Sequence, residues 1–149
     1  MTNDVCMFKL CARKLSFRRY IGSLVFTPTA IYFLATGRIP KSGQRMALLN
    51  MPGIIQGSHS INSEYNRDID QFKNAENYIQ LLDRLVQENK GSIKIEKSEI
   101  KDMKLPTSNI QTGFKIITSN GKHLFDIGYT VRNKRLPELT NYLTNHFYD

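Results

Sequence analysis

An uncharged run of aromatic and β-branched residues from Tyr20 to Thr36 constrains the fold more than any other feature of the chain. Thr27-Pro28-Thr29 interrupts the run and leaves a strand-length segment on each side. A membrane-spanning helix needs about 20 mostly apolar residues, whereas this run includes a proline, a glycine, a serine and three threonines. The run therefore predicts a β-hairpin with strands near Ile21–Phe26 and Ile31–Ala35.

A second hairpin is predicted around Asn120-Gly121. This residue pair suits a two-residue type I′ turn, because both central positions of that turn need positive φ. If Ser119 faces Lys122, then Lys115 lies opposite Asp126, which makes an opposite-charge pair suited to solvent. The other face of the hairpin then carries the apolar side chains Phe114, Ile116, Phe125 and Ile127.

Two amphipathic helices are predicted from apolar residues that recur at three- and four-residue steps. The first runs from Asp68, a candidate N-cap, to Lys90, and it follows a polar loop at Gly53–Asn66. The second begins near Pro137, because proline is favoured in the first turn of a helix. We expect this C-terminal helix to pack on the strands through Leu136, Leu139, Leu143 and Phe147.

Further strands are predicted on both sides of the first helix. Two of them lie near Lys9–Tyr20 and Met46–Asn50. The segment from Ile93 to Leu105 alternates apolar and polar residues around a short interruption, which predicts a strand with a bend or bulge.

The 149 residues are expected to form a single domain, residues 1–149. Basic side chains interrupt the amino-terminal segment, so no signal peptide is expected and the mature chain would start at Met1. Cys6 and Cys11 are the only cysteines, and two thiols in a chain of this size indicate no disulfide framework. They are expected to be buried or idle in a reducing cytoplasm.

Positive charge is concentrated in the amino-terminal third. Residues 1–50 contain eight basic side chains and one acidic side chain, and the whole chain has a net charge of +8. Such a patch attracts anionic partners, although a basic surface that only aids solubility would have the same composition. The candidate anion- or membrane-binding residues are Arg13, Lys14, Arg18, Arg19, Arg38, Lys41 and Arg45.

No arrangement of side chains predicts catalysis, a metal site or a cofactor. His59, His123 and His146 lack the helical spacing and the nearby cysteine or carboxylate ligands that zinc requires. Nucleophile and phosphate-binding motifs are missing as well. Phe17 beside Arg18 resembles a stacking platform for single-stranded nucleic acid, but no RNP- or OB-type signature accompanies it. The sequence therefore predicts a noncatalytic protein without a cofactor, and nucleic acid is not an expected partner.

Three groups of residues resemble motifs of GRAM domains and related bacterial pleckstrin-homology-like (PH-like) domains. The hairpin motif G-x-L-x-L-T-x-x-x-L-Y-F is matched by Gly22, Leu24, Phe26, Thr27, Ile31, Tyr32 and Phe33. A strand motif is matched by Ile95, Ile100 and Met103, and the hairpin T-x-x-G-K-x-x-F by Thr118, Gly121, Lys122 and Phe125. The resemblance implies a mainly β, bent, seven-stranded antiparallel barrel or sandwich whose open end is capped by the C-terminal helix. Residues 41–91 would then be an inserted loop and long helix, because the family has a short connection there.

Two functional hypotheses follow. In the first, the protein is a cytoplasmic PH-like binding module, peripheral at the membrane, whose basic amino-terminal half engages an anionic membrane surface or an acidic protein. In the second, it is a protein–protein adaptor or a homo-oligomer that docks through the apolar stripe of helix 68–90. That stripe comprises Ile69, Phe72, Ile79, Leu82 and Val86. Salt would weaken the first kind of binding and not the second.

Overall fold

A computed structural model describes residues 4–39, 77–108 and 110–148 of the chain. The described part contains seven β-strands, three α-helices and one 3₁₀ turn. The strands are β1 Cys6–Lys14, β2 Arg19–Phe26, β3 Ala30–Ile39, β4 Ile93–Glu96, β5 Ile100–Lys104, β6 Gly113–Thr118 and β7 Gly121–Asp126. The helices are α1 Tyr78–Glu88, α2 Gly128–Arg132 and α3 Leu136–His146.

All seven strands form one antiparallel sheet in the order β4-β3-β2-β1-β7-β6-β5. β4 and β5 are the two edges of this sheet, yet only the 3₁₀ turn Lys97–Glu99 joins them. Three residues span at most about 10 Å, so the two edges approach each other at this corner and the sheet is strongly bent. The prediction of a mainly β, antiparallel fold is confirmed.

The inner face of the bent sheet holds the main core. Aromatic rings dominate it, and the Phe8–Phe26 and Phe33–Phe125 pairs each have ring centroids 5.7 Å apart. α3 covers this core with Leu139 and Leu143, which are fully buried, and with Tyr142, while Leu136 and Phe147 pack at its margin. Pro137 lies in the first turn of α3. The predicted C-terminal helix and its contacts with the strands are therefore confirmed.

A second, smaller core lies on the outer face of the sheet beneath α1. Leu82 is fully buried there against strand residues that include Met7, Val25, Tyr32 and Leu34. Tyr78, Leu81, Leu85 and Val86 pack around the margin of this cluster. The described part of the helix therefore packs on its own sheet. Of the predicted stripe, Ile79 is only partly buried, and Ile69 and Phe72 lie outside the described residues.

A polar network fixes α1 to the sheet beside this core. The Tyr32 hydroxyl donates a hydrogen bond of 3.1 Å to Asp83 Oδ1 on the helix. Lys94 Nζ on β4 lies 3.0 Å from Asp83 Oδ1 and 3.0 Å from Glu96 Oε1. Burial raises the pKa of Tyr32 to about 12, so the hydroxyl stays protonated and donates.

Two strand boundaries differ from the sequence prediction. The segment predicted as one strand over Lys9–Tyr20 is divided, because the Leu15 N–H donates to the Arg18 carbonyl at 2.8 Å and closes a hairpin between β1 and β2. Leu10 has a φ of 54° at an irregularity in β1, which places both Phe8 and Cys11 on the inner face. α2 was not predicted. The predicted strand Met46–Asn50 and loop Gly53–Asn66 lie outside the described residues.

The register of the β6–β7 hairpin was predicted wrongly. Thr118 pairs with Gly121, so the loop residues are Ser119 and Asn120. The Thr118 hydroxyl accepts a hydrogen bond from the Asn120 N–H at 3.2 Å and donates one to the Gly121 carbonyl at 3.1 Å, which stabilises this turn. Gly121 has a positive φ of 139°, whereas Asn120 does not have a positive φ and no type I′ turn forms.

The correct register displaces each cross-strand partner by two residues, so the buried face is the predicted one. Phe114, Ile116, Phe125 and Ile127 are all buried. The predicted pair of Lys115 and Asp126 does not form, because Lys115 lies opposite Leu124. Asp126 is buried instead, and it accepts hydrogen bonds from the Thr112 hydroxyl at 2.7 Å and from the Gly128 N–H at 2.9 Å.

Candidate anion-binding surface

Four cationic side chains and one leucine form a continuous row across five strands of the sheet. Lys104 on β5 lies opposite Lys115 on β6, and Lys115 lies opposite Leu124 on β7. Leu124 in turn lies opposite Lys14 on β1, which pairs with Arg19 on β2. Directly opposite residues in an antiparallel sheet project from the same face. We call these five residues the basic row, and at about 4.8 Å per strand it extends over about 19 Å.

The basic row lies on the outer face of the sheet. Its sequence neighbours Met103, Phe114, Ile116 and Phe125 are buried in the inner core, and successive strand residues point to opposite faces. Lys104 and Arg19 are exposed, Lys14 and Lys115 are half-buried, and Leu124 is 40% exposed. The row is therefore accessible from solvent along its length.

The row borders a shallow cleft of about 290 Å³. Lys14, Lys104 and Lys115 reach this cleft from three different strands, and Leu105 and Leu124 supply apolar lining. Gly113 also borders it, and a Cβ atom at Gly113 would have no heavy atom within 4 Å. The cleft therefore combines converging positive charge with an apolar, open floor.

The basic row has an electrostatic cost where Lys104 and Lys115 face each other. Like charges directly opposite each other destabilise a sheet, and neither lysine makes an ion pair within the described residues. Asp102 precedes Lys104 on the same face, and its Oδ1 accepts a hydrogen bond from the Met103 N–H at 2.9 Å. The cost of the row would be relieved by an external anion.

One end of the row continues into an exposed hairpin tip, residues 15–18. The pair formed by Lys14 and Arg19 is the last pair before this tip. Phe17 is 83% exposed, Leu15 is 43% exposed and Arg18 is exposed. The tip thus presents two apolar side chains between basic ones.

The predicted anion-binding residues are distributed over several places. Lys14 and Arg19 lie in the basic row, and Arg18 lies in the hairpin tip. Arg13 points to the inner face, where its Nη1 donates a hydrogen bond of 2.8 Å to the Gly91 carbonyl and burial lowers its pKa. Arg38 lies in β3 opposite Tyr20. Lys41 and Arg45 are outside the described residues.

Sequence reasoning missed Lys104 and Lys115. The signal that could have identified them was the hairpin register, since the predicted pair of Lys115 with Asp126 assigned a partner to a lysine that faces Lys104 instead. Lys104 and Lys115 are also far from the basic amino-terminal third in sequence, and only the pairing of β7 with β1 brings them beside Lys14.

The remaining reactive side chains have structural surroundings. Both cysteines are buried, as predicted, and neither is in a disulfide. Burial raises the pKa of Cys11 to about 12, which keeps this thiol unreactive. Burial and the nearby Arg13 lower the pKa of His123, and His146 contacts Asp4. Within residues 4–39, 77–108 and 110–148, no three His, Cys, Asp or Glu side chains are grouped to hold a metal ion.

None of the described helices is both long enough and apolar enough to cross a membrane. Comparisons with protein-family models, with curated proteins and with solved structures find no match to this chain.

Proposed function

We propose that the protein is a noncatalytic binding module whose basic row docks on an anionic membrane surface. The observation that carries this proposal is the cross-strand sequence of Lys104, Lys115, Leu124, Lys14 and Arg19 on one accessible face. Lys104 and Lys115 face each other and make no ion pair within the described residues, and this repulsion reduces the stability of the sheet. An anionic membrane would attract these lysines and offset their mutual repulsion.

The size of the attraction is adequate for peripheral binding. Each basic residue near an anionic membrane contributes about 1 kcal/mol. The four cations of the row, together with Arg18 of the tip, would therefore contribute about 5 kcal/mol, which favours the membrane-bound state more than a thousandfold. The attraction is electrostatic, so added salt must reduce it.

The alternative of an adaptor that docks through helix 68–90 has less support. In the described part of this helix, Leu82 and its neighbours are already in contact with the chain's own sheet. An acidic protein is the competing partner for the row, and it differs from a membrane in having no acyl-chain region that an apolar side chain can enter.

We also propose that the domain is PH-like. Two features support the resemblance: the bend of the seven-stranded sheet at Lys97–Glu99 and the packing of α3 on its inner face. α1 lies between β3 and β4 in the chain, and these strands pair directly with each other. This arrangement supports an insertion at residues 41–91. A solved structure that superposes poorly on PH-like domains would refute this proposal.

Cosedimentation with vesicles tests the function. The double variant Lys104→Glu/Lys115→Glu keeps a like-charge pair at the two positions and reverses the sign of its charge, and a thermal melt checks that the variant is folded. We expect it to bind vesicles of phosphatidylcholine and phosphatidylserine at least about 30-fold more weakly, because two contributions of about 1 kcal/mol are lost.

The matched control is Arg84→Glu/Arg132→Glu, which changes the net charge by the same amount on α1 and α2. Arg84 is well exposed and pairs loosely with Glu88 at 3.8 Å, and Arg132 is exposed. If both double variants lose binding equally, net charge and not the basic row attracts the membrane. If the wild type does not sediment with these vesicles at low salt, the membrane proposal is wrong.

A further inference from the structure

We propose that the hairpin tip inserts Phe17 into the interfacial region of the bilayer on which the basic row docks. This inference rests on the proposed function and deepens it, because it identifies a lipid bilayer rather than an acidic protein as the partner. It also predicts that part of the binding free energy persists when salt is added.

The geometry of the tip holds Phe17 away from the core. Lys14 pairs with Arg19, and the Leu15 N–H donates to the Arg18 carbonyl at 2.8 Å, so Ser16 and Phe17 form a two-residue loop. A side chain at the apex of such a loop cannot reach back to the sheet, and Phe17 is 83% exposed. The hydrogen-bonded turn is already ordered, so binding would cost little conformational entropy.

The charges around the tip match a membrane interface. Lys14, Arg18 and Arg19 surround the apolar pair, and no acidic residue occurs in the sequence between Asp4 and Glu64. Segments that lie in the bilayer interface combine basic residues, which bind anionic headgroups, with aromatic or aliphatic residues that enter the acyl boundary. A bilayer offers both kinds of contact within one surface.

Three of the exposed large apolar side chains lie in the basic row or in the hairpin tip beside it. Scattered single ones are normal on a protein surface, whereas a cluster marks an interaction site. Among the described residues, the exposed large apolar side chains are Leu15, Phe17, Ile110, Leu124, Tyr129 and Tyr148. Leu15 and Phe17 form the tip, Leu124 belongs to the row, and Ile110 lies in the β5–β6 loop. That loop leaves the sheet at Leu105 and returns at Gly113, which both border the cleft.

The chain contains no tryptophan, so a single tryptophan reports its own environment. The test uses Phe17→Trp, with Tyr129→Trp as the matched control, because Tyr129 is exposed on α2. With vesicles of phosphatidylcholine and phosphatidylserine, we expect the emission of Phe17→Trp to shift to shorter wavelength and to be quenched by brominated acyl chains. The emission of Tyr129→Trp should not change. Unchanged Phe17→Trp emission in a variant that sediments with the vesicles overturns the insertion and leaves the proposed function standing.

A second variant tests the contribution to affinity. We expect Phe17→Ser to weaken binding about tenfold, as partial loss of a buried phenyl group predicts, and this factor should persist when salt is raised. Tyr129→Ser should bind like the wild type. Equal affinities of Phe17→Ser and the wild type overturn the insertion, and a wild type that does not bind vesicles overturns both the insertion and the proposed function. Slower amide hydrogen exchange at the tip that depends on protein concentration and not on vesicles would identify a second copy of the chain as the occupant. That result would also overturn the inference.

Discussion

Replacing Lys115 with glutamate should stabilise the protein and at the same time weaken its membrane binding. Lys115 lies directly opposite Lys104, so Lys115→Glu exchanges a repulsive cross-strand pair for an attractive one. Cross-strand charge pairs are worth about 0.2 to 1 kcal/mol in either direction. The exchange should therefore raise the free energy of unfolding by about 1 kcal/mol, or the melting temperature by about 3 °C for a domain of this size.

A set of variants separates the causes of this effect. Lys115→Gln removes the repulsion without adding attraction and should give about half of the stabilisation. Lys104→Glu/Lys115→Glu restores a like-charge pair and should lose the stabilisation of Lys115→Glu, so that a double-mutant cycle returns a favourable coupling for the mixed pair. The gain of Lys115→Glu should diminish as salt is added and as the pH falls through the pKa of the new carboxyl group.

Thermal and urea unfolding of these variants measure the coupling. No stabilisation in Lys115→Glu at low salt would mean that Lys104 and Lys115 do not repel each other, and the electrostatic argument for the basic row would lose its basis. Stabilisation together with unchanged vesicle binding would contradict the function while leaving the register intact.

The other predictions concern the fold. Leu143→Asp places an unpaired charge in the core beneath α3 and should cost several kcal/mol; a melting curve like that of the wild type would refute the packing of this helix. The amides of Tyr78–Glu88 should be protected from hydrogen exchange to the same degree at every protein concentration, because α1 packs on its own sheet; protection that appears only at high concentration would indicate an oligomeric contact instead. Cys11 is fully buried with its pKa raised to about 12, so thiol reagents at neutral pH should modify it only through unfolding, and labelling of the folded protein at the rate of an exposed thiol would contradict this burial.

The same raised pKa has a consequence at alkaline pH. The folded state favours the protonated thiol of Cys11, so the stabilisation is fully present below the pKa of the unfolded thiol. It should be lost progressively as the pH rises from about 9 to about 12.

Sequence periodicity was sufficient for the β2–β3 hairpin and for the buried face of α3. The run from Tyr20 to Thr36 gave the β2–β3 hairpin, because its break at Pro28 coincides with a turn in which the Thr27 N–H donates to the Ala30 carbonyl. The leucine stripe of α3 identified its buried face. These features depend on local spacing and burial, which a single sequence records directly.

The register of β6 and β7 was not predictable in the same way. A glycine at a hairpin suggests where φ becomes positive, but the hydroxyl of Thr118 favours a turn that begins one residue earlier. Buried and exposed residues alternate along each strand with a period of two. A register shifted by two residues therefore leaves the same side chains on the buried face. This pattern alone could not show that Asp126 is buried by its hydrogen bonds to Thr112 and Gly128. Nor could it show that Lys115 faces Lys104.

The candidate site was only partly predictable for a topological reason. Composition pointed to the amino-terminal third, and Lys14, Arg18 and Arg19 do lie at the surface described above. Lys104 and Lys115 join them through the β1–β7 pairing, which connects distant parts of the chain. Conversely, Arg13 is one residue from Lys14 but projects from the opposite face, where it contacts Gly91.

The most direct test of the basic row as a membrane-docking surface is paramagnetic broadening of backbone amide signals. The protein would be bound to bicelles that contain phosphatidylserine and a lipid with a spin label on its headgroup. We expect the strongest broadening at the hairpin tip, residues 15–18, and at Lys14, Arg19, Lys104, Lys115 and Leu124. Broadening concentrated on α1 or α2, with the signals of the basic row unaffected, would contradict the account.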